Sequence, residues 1–155
     1  MLSDKDVDKI TVVMMQKSWL LFALGSAFFA GLTAILGKVG VTQINSNLAT
    51  LIRTVVIVVM TAAIVAYRNE WEPLNKLSGR AVVFLCLSAI ATGLSWLCYY
   101  RALQLGTASQ VAPIDKLSVV FVIVLAWMFL GEAMTWRVAL GGGLIAAGAL
   151  TLATK

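Results

Sequence analysis

Residues 111–130 read VAPIDKLSVVFVIVLAWMFL, and this stretch decides the fold. Only Asp115 and Lys116 are charged in it; almost everything else is apolar. A helix of roughly 20 apolar residues spans the hydrocarbon core of a bilayer. A second run of the same kind, residues 48–67, carries Arg53 at a similar depth from its start. An ionisable group at mid-helix in lipid costs roughly 2.5–3.5 kcal/mol on insertion scales. Arg53, Asp115 and Lys116 are therefore the strongest pointers to function, more so than the hydrophobicity around them.

Three further apolar runs cover residues 19–39, 81–100 and 136–153. In lipid the backbone has to satisfy its own hydrogen bonds, and helices do so. The expected fold class is thus an all-α integral membrane protein with five transmembrane helices, its first partner being the lipid bilayer. Composition agrees: 61% of the 155 residues are hydrophobic and 12% are charged. A soluble domain carries about 25% charged residues, enough to cover its surface. The net charge of +5 sits mostly at segment ends, which suits a membrane–water interface rather than a nucleic acid. There is no histidine, hence no imidazole base and no ordinary zinc or haem site, and no cofactor is expected. Cys86 and Cys98 share one predicted helix, roughly 18 Å apart, too far for a disulfide.

The ends of the runs carry turn signals. Gln43, Asn45, Ser46 and Asn47 form the first turn, with Ser46 or Asn47 available to cap the second helix. Residues 69–80, with Pro73 and Gly79, form the longest loop, and residues 106–110 the third turn. Residues 131–135 make a tight fourth turn, so the last two helices are expected to form an antiparallel hairpin. Trp19, Tyr67, Trp71, Tyr99, Tyr100, Trp127 and Trp136 lie near run ends, as interfacial anchors do. Residues 1–17 differ from the domain at 18–155. Asp4, Lys5, Asp6, Asp8 and Lys9 make this tail polar, and it lacks the residue order of a cleaved signal peptide. It reads as a short interfacial helix or as a start-site extension, Met14 and Met15 being alternative starts.

Lys5, Lys9, Lys17, Arg68, Lys76, Arg80 and Arg137 fall on one side of the membrane. Lys38, Arg101 and Lys155 fall on the other, with Arg53 and Lys116 inside that half. The positive-inside rule then gives a cell or plasma membrane protein with a cytoplasmic N-terminus and an external C-terminus. Dual topology is the minority alternative.

Alternating helix direction puts Lys38, Arg53, Arg101, Asp115 and Lys116 in one half of the membrane. Arg53 and Asp115 lie about five residues into their helices, roughly 8 Å deep, so an ion pair between them is geometrically possible. Lys116 is about 100° around the helix from Asp115. On the functional reading these five residues line a net-positive cavity for an anionic or zwitterionic solute, with Asp115 as a coupling group and Gln43, Asn45, Gln104, Ser109 and Gln110 at its rim. On the structural reading Arg53 and Asp115 lock helices together while Lys38, Arg101 and Lys116 snorkel to water. Pro113 reads as a helix start, where a missing N–H costs nothing. A deeper position would free carbonyls beside Asp115, as in broken transporter helices. Ala23, Ala27 and Gly31, and the glycines and alanines of residues 141–149, allow close helix approach. The fifth helix is the expected self-association surface.

The segments Tyr100-Arg101-Ala102-Leu103, Pro113, Leu130-Gly131-Glu132 and Gly141-Gly142-Gly143-Leu144-Ile145-Ala146-Ala147-Gly148 together resemble the EamA repeat of the drug/metabolite transporter superfamily. Leu36-Gly37-Lys38-Val39-Gly40, Asn45-Ser46-Asn47-Leu48-Ala49-Thr50, Arg53-Thr54 and Pro113-Ile114-Asp115-Lys116-Leu117-Ser118 look like its half-size, five-helix bacterial and archaeal members. Arg53 falls where that repeat often has an arginine in its second helix. The resemblance covers nearly everything after Ser18. It implies a single EamA-type repeat acting as a homodimer, for which an antiparallel arrangement is one form, that moves a small polar metabolite by alternating access. Glu132 matches the repeat's LGE motif and is expected to orient the tight turn. A non-transport scaffold subunit of a larger complex is the alternative. A small multidrug exporter is disfavoured because the first apolar run has no acidic residue, and an enzyme because no catalytic constellation exists.

Overall fold

A computed structural model describes the backbone over residues 4–73 and 76–154, with side chains described from Ser18 onward within that range. Two compact units result, Met1–Leu36 and Gly37–Lys155. The first unit is most of α1 (Asp4–Val41), a continuous helix whose span Ser18–Val41 is long and apolar enough to cross a membrane. Trp19, Phe22, Phe28 and Phe29 on it are all exposed, as lipid-facing side chains are.

The second unit holds the end of α1 together with α2 (Ser46–Tyr67), α3 (Gly79–Leu105), α4 (Ala108–Asp115), α5 (Ser118–Leu125) and α6 (Trp136–Ala153). Five candidate membrane spans result, with α4, α5 and the following residues forming one span, Ala108–Leu130. The protein is thus an all-α, multi-pass membrane protein, as its sequence leads one to expect. In α2 the β-branched run at residues 55–59 disfavours a helix in water. It is helical here because lipid leaves the backbone no other partner.

Details at the helix ends differ from the sequence expectations. The cap of α2 is Asn45, not Ser46 or Asn47; its side-chain oxygen accepts from the Asn47 N–H at 2.9 Å. α3 runs five residues past its expected end, to Leu105. It does so because Arg101 and Gln104 find polar partners at the membrane surface, so nothing stops the helix before Gly106. The third turn shrinks to residues 106–107, with α4 starting at Ala108.

The largest correction concerns Pro113. It lies inside α4, five residues after the helix starts, and not at a helix start. With no N–H, Pro113 leaves the Ser109 carbonyl without its helical donor. Just beyond it the backbone switches to shorter-range bonds: Lys116 N–H to Pro113 O and Leu117 N–H to Ile114 O, both 3.0 Å. The fourth span is therefore broken at residues 116–117, immediately after Asp115.

The span ends in a π-helical turn, Ala126–Leu130, closed by Gly131 at φ 67°. Glycine takes this left-handed conformation without steric penalty. Thr135 then caps α6, its hydroxyl accepting from the Val138 N–H at 3.3 Å. No side-chain hydrogen bond of Glu132 occurs among the described residues, so this tight turn is held by backbone and by Thr135. α4 and α5 both pack on α6, giving the expected hairpin.

Within the unit α2 packs on α3, α3 on α4, and α4 on α6. The buried cluster is Val41, Ala49, Tyr100 and Leu103, with Tyr99, Ala108 and Val111 against it. It gathers the end of α1, the start of α2, the end of α3 and the start of α4. Gly37 permits this convergence: a β-carbon there would lie 3.1 Å from the Tyr100 hydroxyl.

Candidate functional site

The five expected site residues all occur at this convergent end, but in three separate arrangements. Lys38 and Arg101 belong to a polar clasp. The Lys38 ammonium donates to the Leu103 carbonyl at 2.5 Å and to the Gly106 carbonyl at 2.7 Å. These are carbonyls at the C-terminal end of α3, where a cation is favoured by unpaired acceptors and by the helix dipole. Gln104 completes the clasp, donating to Ile44 O at 2.8 Å and Val41 O at 3.2 Å while accepting from Arg101 at 3.0 Å. The α1–α2 turn and the end of α3 are thereby tied together.

Arg53 is the second arrangement. Its guanidinium lies 4.1 Å from the centre of the Trp96 ring and 5.5 Å from that of Tyr100. Trp96 and Tyr100 are four apart on α3 and so share one face. Arg53 thus stacks on an aromatic shelf, a contact worth roughly 0.5–2 kcal/mol according to desolvation. The ion pair with Asp115 is not formed: Arg53 lies on Trp96 and Tyr100 of α3, and Asp115 pairs with Lys116. Among the described residues nothing accepts a hydrogen bond from Arg53. The ring contacts leave the N–H donors of the guanidinium without a hydrogen-bond acceptor among the described residues.

Asp115 and Lys116 are the third arrangement, at the break between α4 and α5. Their ion pair measures 3.3 Å, with 35% and 54% of the respective side chains exposed. A single exposed pair contributes little to stability.

At the rim, Asn45 caps α2, Gln104 is in the clasp, and the Thr107 hydroxyl contacts Ser109 at 3.1 Å and Gln110 at 2.8 Å. Two roles were missed from sequence. Tyr100, grouped with the interfacial anchors, is only 5% exposed and helps form the Arg53 shelf. Trp96 is the other half of that shelf. The signal was present: two aromatics one turn apart, on a helix next to one bearing an intramembrane arginine.

Residues 17–154 match the model of the EamA-like transporter family. A Sinorhizobium protein described as an uncharacterized transporter in the cobO 3′ region is 55% identical over 139 residues, which cover 90% of this chain and 99% of that protein. No solved structure matches the chain.

Proposed function

The chain belongs to the EamA-like transporter family, and from that premise we propose that it is the subunit of a secondary transporter for a small anionic or zwitterionic metabolite. Family membership points to transport rather than to enzyme catalysis. The observation that carries the reading is Arg53. It is a permanent cation in a membrane span, oriented by Trp96 and Tyr100, with no carboxylate paired to it among the described residues. Such a group invites an anion.

In this reading Arg53 anchors the solute and Asp115 is the coupling group. Asp115 stands at the point where the fourth span is interrupted, and interrupted helices in transporters border solute and ion sites. Lys116 partners Asp115 between turnovers. Lys38 and Arg101, engaged in the clasp, add to the positive potential but hold the helix ends instead of the solute. The two faces of the membrane are reached alternately by rocking about the α4–α5 break. The working unit is a homodimer, antiparallel if both orientations insert, because one five-helix copy makes a thin wall for a pathway. A cytoplasmic N-terminus and an external C-terminus fit the lysine and arginine distribution.

The test is uptake of labelled small acids and amino acids into liposomes containing the purified protein. Arg53→Ala is expected to abolish uptake of the solute that the wild type moves. Transport unchanged in Arg53→Ala would remove the proposed anchor.

A further inference from the structure

Below the Arg53 shelf, α2 and α3 separate. Near the convergent end they are in close contact, with Ser46, Ala49, Thr50 and Tyr100 buried. Further along they leave an open groove of about 390 Å³. Ligand pockets are commonly roughly 300–1,000 Å³. Thr54, Ile57 and Val58 of α2 line it, with Ala89, Gly93 and Trp96 of α3. On the α3 side the groove is open at Gly93, where a β-carbon would meet nothing within 4 Å.

Trp96 both lines the groove and supports the guanidinium of Arg53. Arg53 precedes Ile57 by one helical turn, so it stands on the same face of α2 as the groove lining. Two of the three hydroxyls that line it are committed to their own helices, Thr54 donating to Thr50 O at 2.8 Å and Thr92 to Ser88 O at 2.9 Å, while the Ser88 hydroxyl has no partner among the described residues. The groove is mainly apolar, and Trp96 of its lining carries the Arg53 guanidinium on its ring.

We propose that this groove holds the apolar body of an anion whose charged group sits on Arg53. Resting on the transporter reading above, this narrows its substrate class to organic anions with a compact aromatic or branched aliphatic part. A wholly polar anion would leave the groove unfilled. An uncharged amphiphile would leave the edge donors of Arg53 unpaired, and a site built for a charged hydrogen-bonding partner strongly rejects an analogue without it. The occupant is a free organic anion; an anionic lipid whose chain enters the groove offers the same chemistry and is the competing outcome of the test.

The experiment is equilibrium binding to purified protein in phosphatidylcholine nanodiscs. The probes are tritiated 3-phenylpropionate, its uncharged amide, and propionate. Phenylpropionate is expected to bind at least about tenfold more tightly than either of the others. Gly93→Leu should weaken phenylpropionate by about tenfold through filling the groove; its side chain enters open space and improves helix propensity, so the fold survives. Gly93→Ala, a smaller plug, should give an intermediate loss. Arg53→Gln should bring acid and amide to equal affinity. Adding phosphatidylglycerol to the discs is expected to leave phenylpropionate binding unchanged; competition in the wild type that vanishes in Arg53→Gln would assign the groove to a lipid and overturn the proposal. Equal binding of acid and amide by the wild type overturns the proposal. So does wild-type binding by Gly93→Leu, or disulfide crosslinking of Gly93→Cys to a second copy, which would make the groove an interface between copies. Arg53-dependent uptake of propionate without any Gly93 effect would overturn the groove and leave the transporter reading standing.

Discussion

At the residue scale, Arg53 and Lys38 show two ways of keeping a cation at a membrane boundary. Lys38 is satisfied by carbonyls of α3, whereas Arg53 is satisfied only on its face, by Trp96 and Tyr100. The difference gives opposite expectations. Lys38→Met leaves carbonyls at the end of α3 uncapped and should cost about 1–3 kcal/mol of stability, seen as a lower melting midpoint in detergent, while uptake per folded molecule persists. Arg53→Lys should leave stability nearly unchanged yet lower uptake by about tenfold or more, because an ammonium neither stacks in the plane of the shelf nor offers a forked set of donors. An uptake defect in Lys38→Met beyond its loss of folded protein would return Lys38 to the solute site. The charges themselves were legible as isolated polar letters in apolar runs. Their partners were not, since Lys38 and Leu103 are 65 positions apart and no local pattern announces that contact.

At the element scale, the broken fourth span is the feature most relevant to movement. Lipid enforces continuous helices, so a break needs a cause, and Pro113 supplies it by removing a donor within the turn before Asp115. Pro113→Ala restores a donor for the Ser109 carbonyl. It should leave thermal stability equal or higher and reduce the initial uptake rate several-fold, because a straightened helix no longer hinges there. A rate equal to that of the wild type would show that the break is not used. Asp115→Asn should remove the dependence of uptake on a proton gradient while counterflow exchange continues; loss of both would make Asp115 a binding group rather than a coupling one. The five spans were readable because a bilayer sets their length and apolarity. The break was not: a proline three residues into an apolar run suits a helix start equally well, and only the extension of α4 back to Ala108 decides the matter.

At the scale of the whole molecule, few of the described residues are buried, and most of their large apolar side chains are exposed. Lipid accounts for much of that surface, and in the proposed dimer a second copy accounts for the rest. If both copies build one pathway, mixing inactive Arg53→Ala subunits with wild type should lower uptake more steeply than the wild-type fraction; a linear dependence would indicate self-sufficient subunits. The EamA resemblance was readable from short motifs spread along the chain, and family membership now rests on nearly its full length. The proposed pairing of subunits has no such trace, because small residues along α6 would serve packing within a copy as well as between copies. The most direct measurement of the central claim is uptake of labelled anionic and zwitterionic solutes into proteoliposomes, comparing the wild type with Arg53→Ala and Asp115→Asn. The expected result is a solute moved by the wild type, not moved by Arg53→Ala, and moved by Asp115→Asn without response to a proton gradient; wild-type rates and gradient response in both variants would contradict it.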